Sequence, residues 1–331
     1  MKHSKVIGVG HYLPARVVTN AELEKYMDTS DAWIRERTGI EERRWITEGD
    51  TVTGMARAAA EMALQRAGIE ASEIDLIVLA AGISDQVIPG SGCTLQAALG
   101  LPGIPAIDIR NGCSGFIYAL SIADQFIKTG QSKTALVVGS EIQSTSLNLS
   151  TEGRDTAVIF ADGAGAMLLR ATGEAGQGVL TTHLHADGRY SDKLTVPKPS
   201  PIENPRINQA MLDKGEFYPV MEGRYVFKHA VTRFPEVINE ALEAAGYTAE
   251  DLDLLVPHQA NLRITEAVGQ RLGLPPEKVF SNIQKYGNTT AATIPICLSE
   301  AVDQGRLKSG DLVCLAAFGA GFTWASALIR W

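Results

Sequence analysis

Short apolar runs alternate with amphipathic stretches along most of the chain, and this alternation predicts its secondary structure. Residues 74–81 are mostly apolar and rich in branched side chains, which is typical of a buried strand. Residues 52–67 carry apolar side chains at helical spacing and precede Gly68, so they predict a long amphipathic helix. Further strands are predicted at 6–10, 104–109 and 135–139, and further helices at 93–99 and 113–129. Strands that alternate with helices predict an α/β fold with a mainly buried sheet.

The second part of the chain repeats the first. Residues 63–78 align with residues 241–256, and eight of the sixteen aligned pairs are identical. A shift of 175 residues places Cys113 on Asn288, each at the start of a predicted helix of the same length. Chance similarity between two helix–strand units is the alternative. Duplication is the better explanation, and it predicts that a pseudo-two-fold axis brings Cys113 and Asn288 to one central site.

The repeat predicts two halves, residues 1–174 and residues 175–331. Within the second half, residues 197–223 follow neither a helical nor a strand period and are rich in proline and asparagine. We expect this segment to be a long surface excursion rather than a linker between separate domains.

The stretch from 108 to 116 is the centre of the predicted site. A strand ends there in a glycine turn, and Cys113 begins the helix that follows. A helix N-terminus offers unpaired N–H groups and the positive end of the helix dipole, and both favour thiolate over thiol. Because thiolate is a nucleophile, this placement suits covalent catalysis. The alternative is that Cys113 is one more small, buried apolar residue.

Two polar side chains and a glycine-rich turn complete the candidate chemistry. His258 follows the repeated strand, Asn288 precedes a helix, and residues 317–324 link two apolar strands. Their structural alternatives are a strand-end cap, a helix N-cap and a simple hairpin. Taken together, a thiolate can accept an acyl group while N–H donors stabilise an enolate formed by loss of a carboxylate. This combination indicates a decarboxylating Claisen condensation.

Composition narrows the class of protein. The 331 residues are 45% hydrophobic and 21% charged, as in an ordinary globular protein, and the net charge of −8 makes nucleic-acid binding unexpected. The four cysteines lack metal-ligand spacing, so we expect a reducing compartment, no disulfides and no metal. The sequence has neither a signal-peptide pattern nor an apolar run long enough for a membrane span, which predicts a cytoplasmic protein without membrane contact.

Six short motifs are spread along the chain. They are Trp-Ile-Arg-Glu-Arg-Thr-Gly-Ile at 33–40, Cys-Ser-Gly-Phe at 113–116, Gly-Ala-Gly-Ala at 163–166, His-Gln-Ala-Asn-Leu-Arg at 258–263, Gly-Asn-Thr at 287–289 and Gly-Phe-Thr-Trp at 321–324. They resemble the motifs of the 3-oxoacyl-[acyl-carrier-protein] synthase III family, and the resemblance covers essentially the whole chain. It implies a thiolase-like, five-layered αβαβα fold built from two duplicated halves.

The resemblance implies an acyltransferase that condenses an acyl-CoA primer with malonyl-acyl carrier protein. The products would be 3-oxoacyl-acyl carrier protein, CO₂ and CoA, at the initiation of fatty-acid synthesis. Cys113 would carry the acyl group, and His258 and Asn288 would stabilise the enolate. The backbone N–H groups of Cys113 and Ala320 would form the oxyanion hole. If these roles are correct, a His258→Ala variant should lose condensation and keep acyl loading. Loss of both steps would instead indicate that His258 is the base that activates Cys113 for loading.

The resemblance also implies binding residues and partners. They are Trp33, Arg37, Arg154 and Asn261 for CoA, Lys228 and Arg263 for the carrier protein, and Ile88 and Phe318 for the acyl pocket. Trp33 and Arg154 would sandwich the adenine, and Asn261 would orient the histidine region by hydrogen bonding. For Lys228 an ordinary solvated surface charge is the favoured alternative. The implied assembly is a homodimer. No cofactor is implied, because acyl-CoA acts as a substrate.

Three features depart from the family pattern. Ala320 stands where a third glycine is usual, which keeps the N–H group but restricts φ. Ile88 takes a place often held by an aromatic residue that reaches across the dimer to the partner's acyl pocket. The excursion at 197–223 is unusually long. The last two features predict a primer larger than acetyl, and the alternative function is a specialised synthase with a medium-chain or aromatic primer in secondary metabolism.

Competing classes fit the residues less well. A biosynthetic thiolase would need a second catalytic cysteine near the C-terminus, whereas Cys314 lies inside an apolar run. A hydroxymethylglutaryl-CoA synthase would need a glutamate after the strand at 74–81, and residues 80–82 provide none. An inactive scaffold is not supported, because cysteine, histidine and asparagine are all present.

Overall fold

The computed structural model describes residues 2–331. The strands are β1 (His3–Tyr12), β2 (Arg16–Thr19), β3 (Glu42–Trp45), β4 (Leu76–Ala80), β5 (Ala106–Ile109), β6 (Thr134–Glu141), β7 (Gly163–Thr172), β8 (Gly178–Ala186), β9 (Leu194–Thr195), β10 (Val220–Met221), β11 (Leu254–Pro257), β12 (Leu312–Gly319) and β13 (Thr323–Arg330). The α-helices are α1 (Asn20–Leu23), α2 (Asp31–Thr38), α3 (Val52–Ala67), α4 (Ser91–Ala98), α5 (Gly115–Lys128), α6 (Arg154–Ala157), α7 (Gln209–Asp213), α8 (Gly223–Ala245), α9 (Leu262–Arg271), α10 (Ile283–Tyr286) and α11 (Thr293–Asp303).

Two mixed sheets with matching strand order form the framework. The first has the order β1-β7-β6-β4-β5, and the second has the order β8-β13-β12-β11. The equivalent pairs β4 with β6 and β11 with β12 are parallel, β5 adds a second parallel pair at the edge of the first sheet, and the remaining pairs are antiparallel. The second sheet therefore follows the first strand by strand, except that β5 has no counterpart in it. The predicted division between residues 174 and 175 falls between β7 and β8, and we retain it as a proposed boundary.

Two helices occupy the space between the sheets. Helix α5 contacts β4 and β6 of the first sheet and β12 and β13 of the second, while α11 contacts β1, β7 and β11. Phe116 and Leu120 of α5 and Ile294 and Leu298 of α11 are almost fully buried in this central core. Each such side chain stabilises the fold by about 2 kcal/mol through removal of apolar surface from water. The central core therefore joins the two sheets into one body.

The outer faces of the sheets are covered by further helices. Helices α3 and α4 pack on the first sheet, and α8 and α9 pack on the second. Helix α3 begins after Thr51, whose hydroxyl accepts from the Gly54 N–H, and it ends at Gly68 with φ of 64°. The layers thus run α, β, α, β, α, and the fold expected from the sequence is confirmed.

The predicted elements are present with small shifts in their bounds. The helix predicted at 113–129 begins only at Gly115, because residues 112–114 form a single 3₁₀ turn. The strand before it is half-buried rather than buried, since β5 lies at the edge of its sheet. The excursion lies on the surface as predicted, with Ile202 88% exposed, but it also holds α7 and the short β10, which pairs with β9. Within residues 2–331, the helices are all too short or too polar to cross a lipid bilayer.

Candidate active site

Cys113 lies in a tight turn between β5 and α5. Gly112 before it has φ of 49°, a left-handed conformation that favours glycine. The β12–β13 hairpin presses against this turn, because a Cβ placed on Gly319 would lie 2.7 Å from the Cβ of Cys113. The Ser114 hydroxyl also donates to the Thr323 carbonyl at 3.0 Å. The predicted glycine-rich link is therefore both a hairpin and one wall of the cysteine site.

The environment of Cys113 favours the thiol. The side chain is 6% exposed, and burial, aided by the negative charge of Glu141, raises the pKa of Cys113 to about 12. A helix N-terminus typically offsets only about 1 kcal/mol, which is less than the cost of burying a charge. The prediction that the helix start makes Cys113 a thiolate is wrong for this structure. Attack by sulfur requires a base that removes the proton during the reaction.

His258 has the properties of that base. It follows β11, it is 1% exposed, and burial lowers the pKa of its imidazole to about 3, so the ring is neutral. Its Nδ1 lies 2.7 Å from Thr293 Oγ1, and this hydroxyl donates its own proton to the Thr290 carbonyl at 3.0 Å. Nδ1 is therefore the donor to Thr293, and Nε2 carries the free lone pair. Nε2 is buried without a hydrogen-bond partner among residues 2–331.

Asn288 presents a donor to the same region. Its Oδ1 accepts from the Thr290 N–H at 2.8 Å, which leaves the two N–H groups of the amide for a ligand. Thr290 has φ of 48°, a conformation that non-glycine residues rarely adopt. Such backbone strain is characteristic of functional sites that the surrounding fold holds in place.

A single cavity of about 650 Å³ joins these residues. Cys113, His258 and Asn288 all line it, as the sequence analysis expected. Its walls are mostly apolar and include Val158, Ile159, Phe160, Val226, Phe227 and Phe318. A largely apolar cavity with a few convergent polar groups is typical of a substrate site. Phe318, predicted for the acyl pocket, is thus placed in the cavity.

Four of the predicted binding residues lie in the wall of the same cavity. They are Trp33, Arg37, Asn261 and Arg263. The amide of Asn261 donates to the Arg37 carbonyl at 2.8 Å and accepts from the Arg263 N–H at 2.9 Å. Asn261 therefore fixes the rim of the cavity, and its role in orienting the region of His258 stays a prediction.

Trp33 is covered by two guanidinium groups. Arg37 lies 4.7 Å and Arg154 lies 4.9 Å from the centroid of the Trp33 ring. A base stacked between Trp33 and Arg154 needs about 7 Å between them, which is twice the van der Waals contact distance. The predicted adenine sandwich therefore requires Arg154 to move outward from its position here, where it donates to the Asp28 carbonyl at 2.7 Å.

The remaining predicted residues lie outside the cavity lining. Lys228 is exposed on α8, and Ile88 is 86% exposed on the surface of the chain. Ala320 lies at the hairpin turn, where its Cβ is 3.4 Å from the position of a Cβ on Gly112. Its predicted oxyanion role fits this proximity to the cysteine turn. The roles of Lys228 and Ile88 concern partners, and they stay predictions.

Two residues escaped the sequence analysis. Thr293 fixes the tautomer of His258, and Glu141 is a fully buried carboxylate at the end of β6. The sequence signal for Glu141 was a carboxylate at the end of the apolar run 134–140, where the predicted strand should be buried. Thr293 gave no such signal, because a threonine at a helix start is common.

The buried Glu141 should make the free energy of unfolding depend on pH. Burial raises the pKa of Glu141 from 4.5 to about 7, so between these values the folded state keeps a proton that the unfolded state releases. Stability therefore falls as pH rises through this window, by up to about 3 kcal/mol for this group alone. Chemical denaturation at fixed protein concentration measures it, with Glu141→Gln as the reference that cannot titrate. An unchanged difference between the two proteins from about pH 5 to about pH 8 would contradict the prediction.

Comparison with known proteins agrees with this geometry. Residues 107–188 match the family model of 3-oxoacyl-[acyl-carrier-protein (ACP)] synthase III, and residues 242–331 match the model of its C-terminal region. The chain is 49% identical to the beta-ketoacyl-[acyl-carrier-protein] synthase III of Rhodospirillum rubrum, with 100% of both chains covered.

Solved structures give the same result. The 3-oxoacyl-[acyl-carrier-protein] synthase III of Aquifex aeolicus is 44% identical, with a TM-score of 0.91 over 99% of this chain and 100% of that one. The priming beta-ketosynthase of the R1128 polyketide biosynthetic pathway is 33% identical, with a TM-score of 0.92 over 99% of this chain and 96% of that one. A chain that matches such relatives from end to end belongs to the 3-oxoacyl-[acyl-carrier-protein] synthase III family of acyltransferases.

Proposed function

We propose that this enzyme condenses an acyl-CoA primer with malonyl-acyl carrier protein, releasing CO₂ and CoA and giving a 3-oxoacyl-acyl carrier protein that begins fatty-acid synthesis. The observation that carries the proposal is the shared cavity of Cys113, His258 and Asn288. A nucleophile, a neutral base and an amide donor in one largely apolar space are the groups that this reaction needs. No cofactor is part of the proposed mechanism.

In the loading step, the sulfur of Cys113 attacks the thioester carbonyl of the primer. Nε2 of His258 takes the thiol proton, since it holds a free lone pair and the ring is neutral. The backbone N–H groups of Cys113 and Ala320 stabilise the oxyanion. The C–S bond to CoA then breaks, and the imidazolium returns the proton to the leaving CoA thiolate. The balance is one acyl group moved to Cys113 and one CoA thiol released.

In the condensation step, the malonyl carboxylate leaves as CO₂ and its bonding electrons pass to the thioester carbonyl oxygen. The Asn288 amide and an N–H at Nε2 of His258 stabilise this enolate. The second donor forms when the imidazole releases its Nδ1 proton to solvent and takes one proton from solvent at Nε2, after which the Thr293 hydroxyl rotates and donates to the bare Nδ1. The enolate carbon then attacks the acyl carbonyl, the bond to sulfur breaks, and the expelled Cys113 thiolate takes one proton from solvent.

The predicted partners belong to the same proposal. Trp33, Arg37, Arg154 and Asn261 would bind CoA at the rim of the cavity, and Lys228 and Arg263 would meet the acidic carrier protein. The rim supports this, since Arg37 and Arg263 line the cavity mouth and are held by Asn261. The cytoplasmic location and the homodimer, with Ile88 at the partner's acyl pocket, rest on family likeness.

The primer is proposed to be larger than acetyl, and a medium-chain acyl group is the expected one. Ile88 in place of an aromatic side chain supports this, because a smaller residue leaves a deeper pocket. The likeness to a priming ketosynthase of a polyketide pathway favours a second candidate function, a specialised synthase with a medium-chain or aromatic primer. Turnover of octanoyl-CoA above that of acetyl-CoA is the expected result. A strong preference for acetyl-CoA would contradict the proposal that the primer is larger than acetyl.

The reaction itself is tested by intact-protein mass after incubation with a panel of acyl-CoAs, followed by malonyl-acyl carrier protein. We expect an acyl adduct on Cys113 that disappears when the malonyl donor is added. Acetyl adducts indicate an initiator of ordinary fatty-acid synthesis, whereas longer or aromatic adducts alone indicate the specialised synthase. An enzyme that forms no adduct with any primer would refute the proposed function.

A further inference from the structure

Glu141 is a buried carboxylate that the proposed mechanism does not use. It ends β6 and is 0% exposed. Its two oxygens accept from the Gly82 N–H at 3.1 and 3.0 Å, and Oε2 also accepts from Gln143 Nε2 at 3.0 Å. The third donor is the Ala291 N–H, 3.4 Å from Oε1. These donors are all neutral, so the charge of Glu141 is solvated by amide groups.

A carboxylate in this position is costly to the fold. Removing a charge from water is strongly unfavourable, and neutral hydrogen bonds offset only part of that cost. An apolar residue would serve the sheet at least as well, because β6 is buried along its whole length. A buried, titratable side chain that holds the turn after Asn288, a residue of the cavity lining, is therefore a candidate for function.

The first contact of functional interest leads to Asn288. The Ala291 N–H that meets Glu141 follows directly on Thr290, the residue in the strained left-handed conformation. The Thr290 N–H in turn fixes the amide of Asn288 through Oδ1. This turn sits directly on β6, since a Cβ placed on Gly139 would lie 2.5 Å from the Ala291 carbonyl oxygen. Glu141 thus anchors the strained turn that aims the Asn288 donors.

The second contact of functional interest leads from Glu141 to the turn of Cys113. Ala291, whose N–H lies 3.4 Å from Glu141 Oε1, also faces the helix start after Cys113, because a Cβ placed on Gly115 would lie 3.6 Å from the Ala291 Cβ. The negative charge of Glu141 acts on the thiol and opposes its ionisation, in addition to the effect of burial. A nearby like charge shifts such an equilibrium through a medium of low dielectric. The charge therefore restrains the nucleophile in the resting enzyme.

We infer that Glu141 is a positioning residue with two separable effects: its hydrogen bond to the Ala291 turn holds Asn288 ready for the malonyl enolate, and its charge beside the Cys113 turn restrains the reactivity of the free thiol. The inference rests on the proposed function, because it presupposes that Cys113 is acylated and that Asn288 serves decarboxylation. It adds a residue that acts through others and does not itself contact the reacting atoms.

Glu141→Gln and Glu141→Asp separate the two effects. Condensation is followed in a single turnover, as loss of a preformed acyl adduct after addition of malonyl-acyl carrier protein, and thiol reactivity is followed by iodoacetamide alkylation of Cys113 at about pH 8. Glutamine removes the charge and places an amide group among N–H donors, so we expect condensation to fall about tenfold and alkylation to rise by about threefold or more. Aspartate keeps the charge but is too short for the turn, so condensation falls while alkylation stays near wild type.

Gln143→Leu is the matched control, because it removes one donor to the same carboxylate and leaves both the charge and the Ala291 contact. We expect near wild-type rates in both assays. A merely structural role would lower both rates of Glu141→Gln together, and that outcome overturns the inference, as would unchanged rates in both variants. If Glu141→Gln does not fold, normal condensation by Glu141→Asp would also overturn the inference. Failure of the proposed function is distinct, since wild type itself would then form no acyl adduct.

Discussion

Acyl loading is expected to vanish when Cys113 is replaced by alanine. The sulfur is the group that forms the covalent bond, so its loss removes the step rather than slowing it, and turnover should fall on the order of 10⁴-fold or more. The buried side chain is small, so alanine is accommodated in the turn between β5 and α5 at little cost. Intact-protein mass after incubation with acyl-CoA gives the result directly.

Cys93→Ala is the matched control for that variant. Cys93 is an exposed free thiol on α4, and it does not line the cavity of Cys113. Its removal should leave both the adduct and the turnover at wild-type levels. An acyl adduct that persists in Cys113→Ala, or one that is lost in Cys93→Ala, would assign the nucleophile to another residue.

The fold was predictable because its information is local and repeated. The apolar runs that became β4 and β6 are β-branched and short, and the amphipathic run that became α3 is bounded by Thr51 and Gly68. The repeat between residues 63–78 and 241–256 then placed the two strand–helix units in equivalent positions of two sheets. Hydrophobic periodicity shows which face of a helix or strand is buried, so it is sufficient to predict the layers of the fold.

The protonation states at the site were not predictable in the same way. The helix start at Cys113 correctly located the nucleophile but gave the wrong ionisation, because desolvation by distant chain segments outweighs the local dipole. Glu141 and Cys113 come near one another only when β6 and α5 pack together. Hydrophobic periodicity describes single elements, so it could not predict this proximity. The same holds for Thr293, whose contact with His258 joins α11 to the end of β11.

The largest effect after Cys113→Ala is expected for His258→Ala, which should abolish condensation and also slow acyl loading at neutral pH. The first effect follows from the lost enolate donor, worth about 10²–10³ in rate. The second revises the expectation from the sequence that loading would be spared. With the pKa of Cys113 raised to about 12, very little thiolate exists near neutrality, and the buried Nε2 of His258 is the base at hand.

The pH profile of loading distinguishes the base role from simple damage to the site. In wild type, the pKa of His258 is lowered to about 3, so the base is free from about pH 5 to about pH 8 and loading should not rise in this range, with only a small decrease as Glu141 ionises near its pKa of about 7. In His258→Ala, the sulfur must ionise unaided, so loading should rise about tenfold for each pH unit. Thr293→Ser keeps the hydroxyl that hydrogen-bonds Nδ1 and should retain activity. Thr293→Val should lose condensation more than loading, because it removes the hydroxyl that donates to Nδ1 when Nε2 carries the proton. Loading by His258→Ala at the wild-type rate and with a flat profile would show that Cys113 ionises without histidine, and His258 would then act in decarboxylation alone.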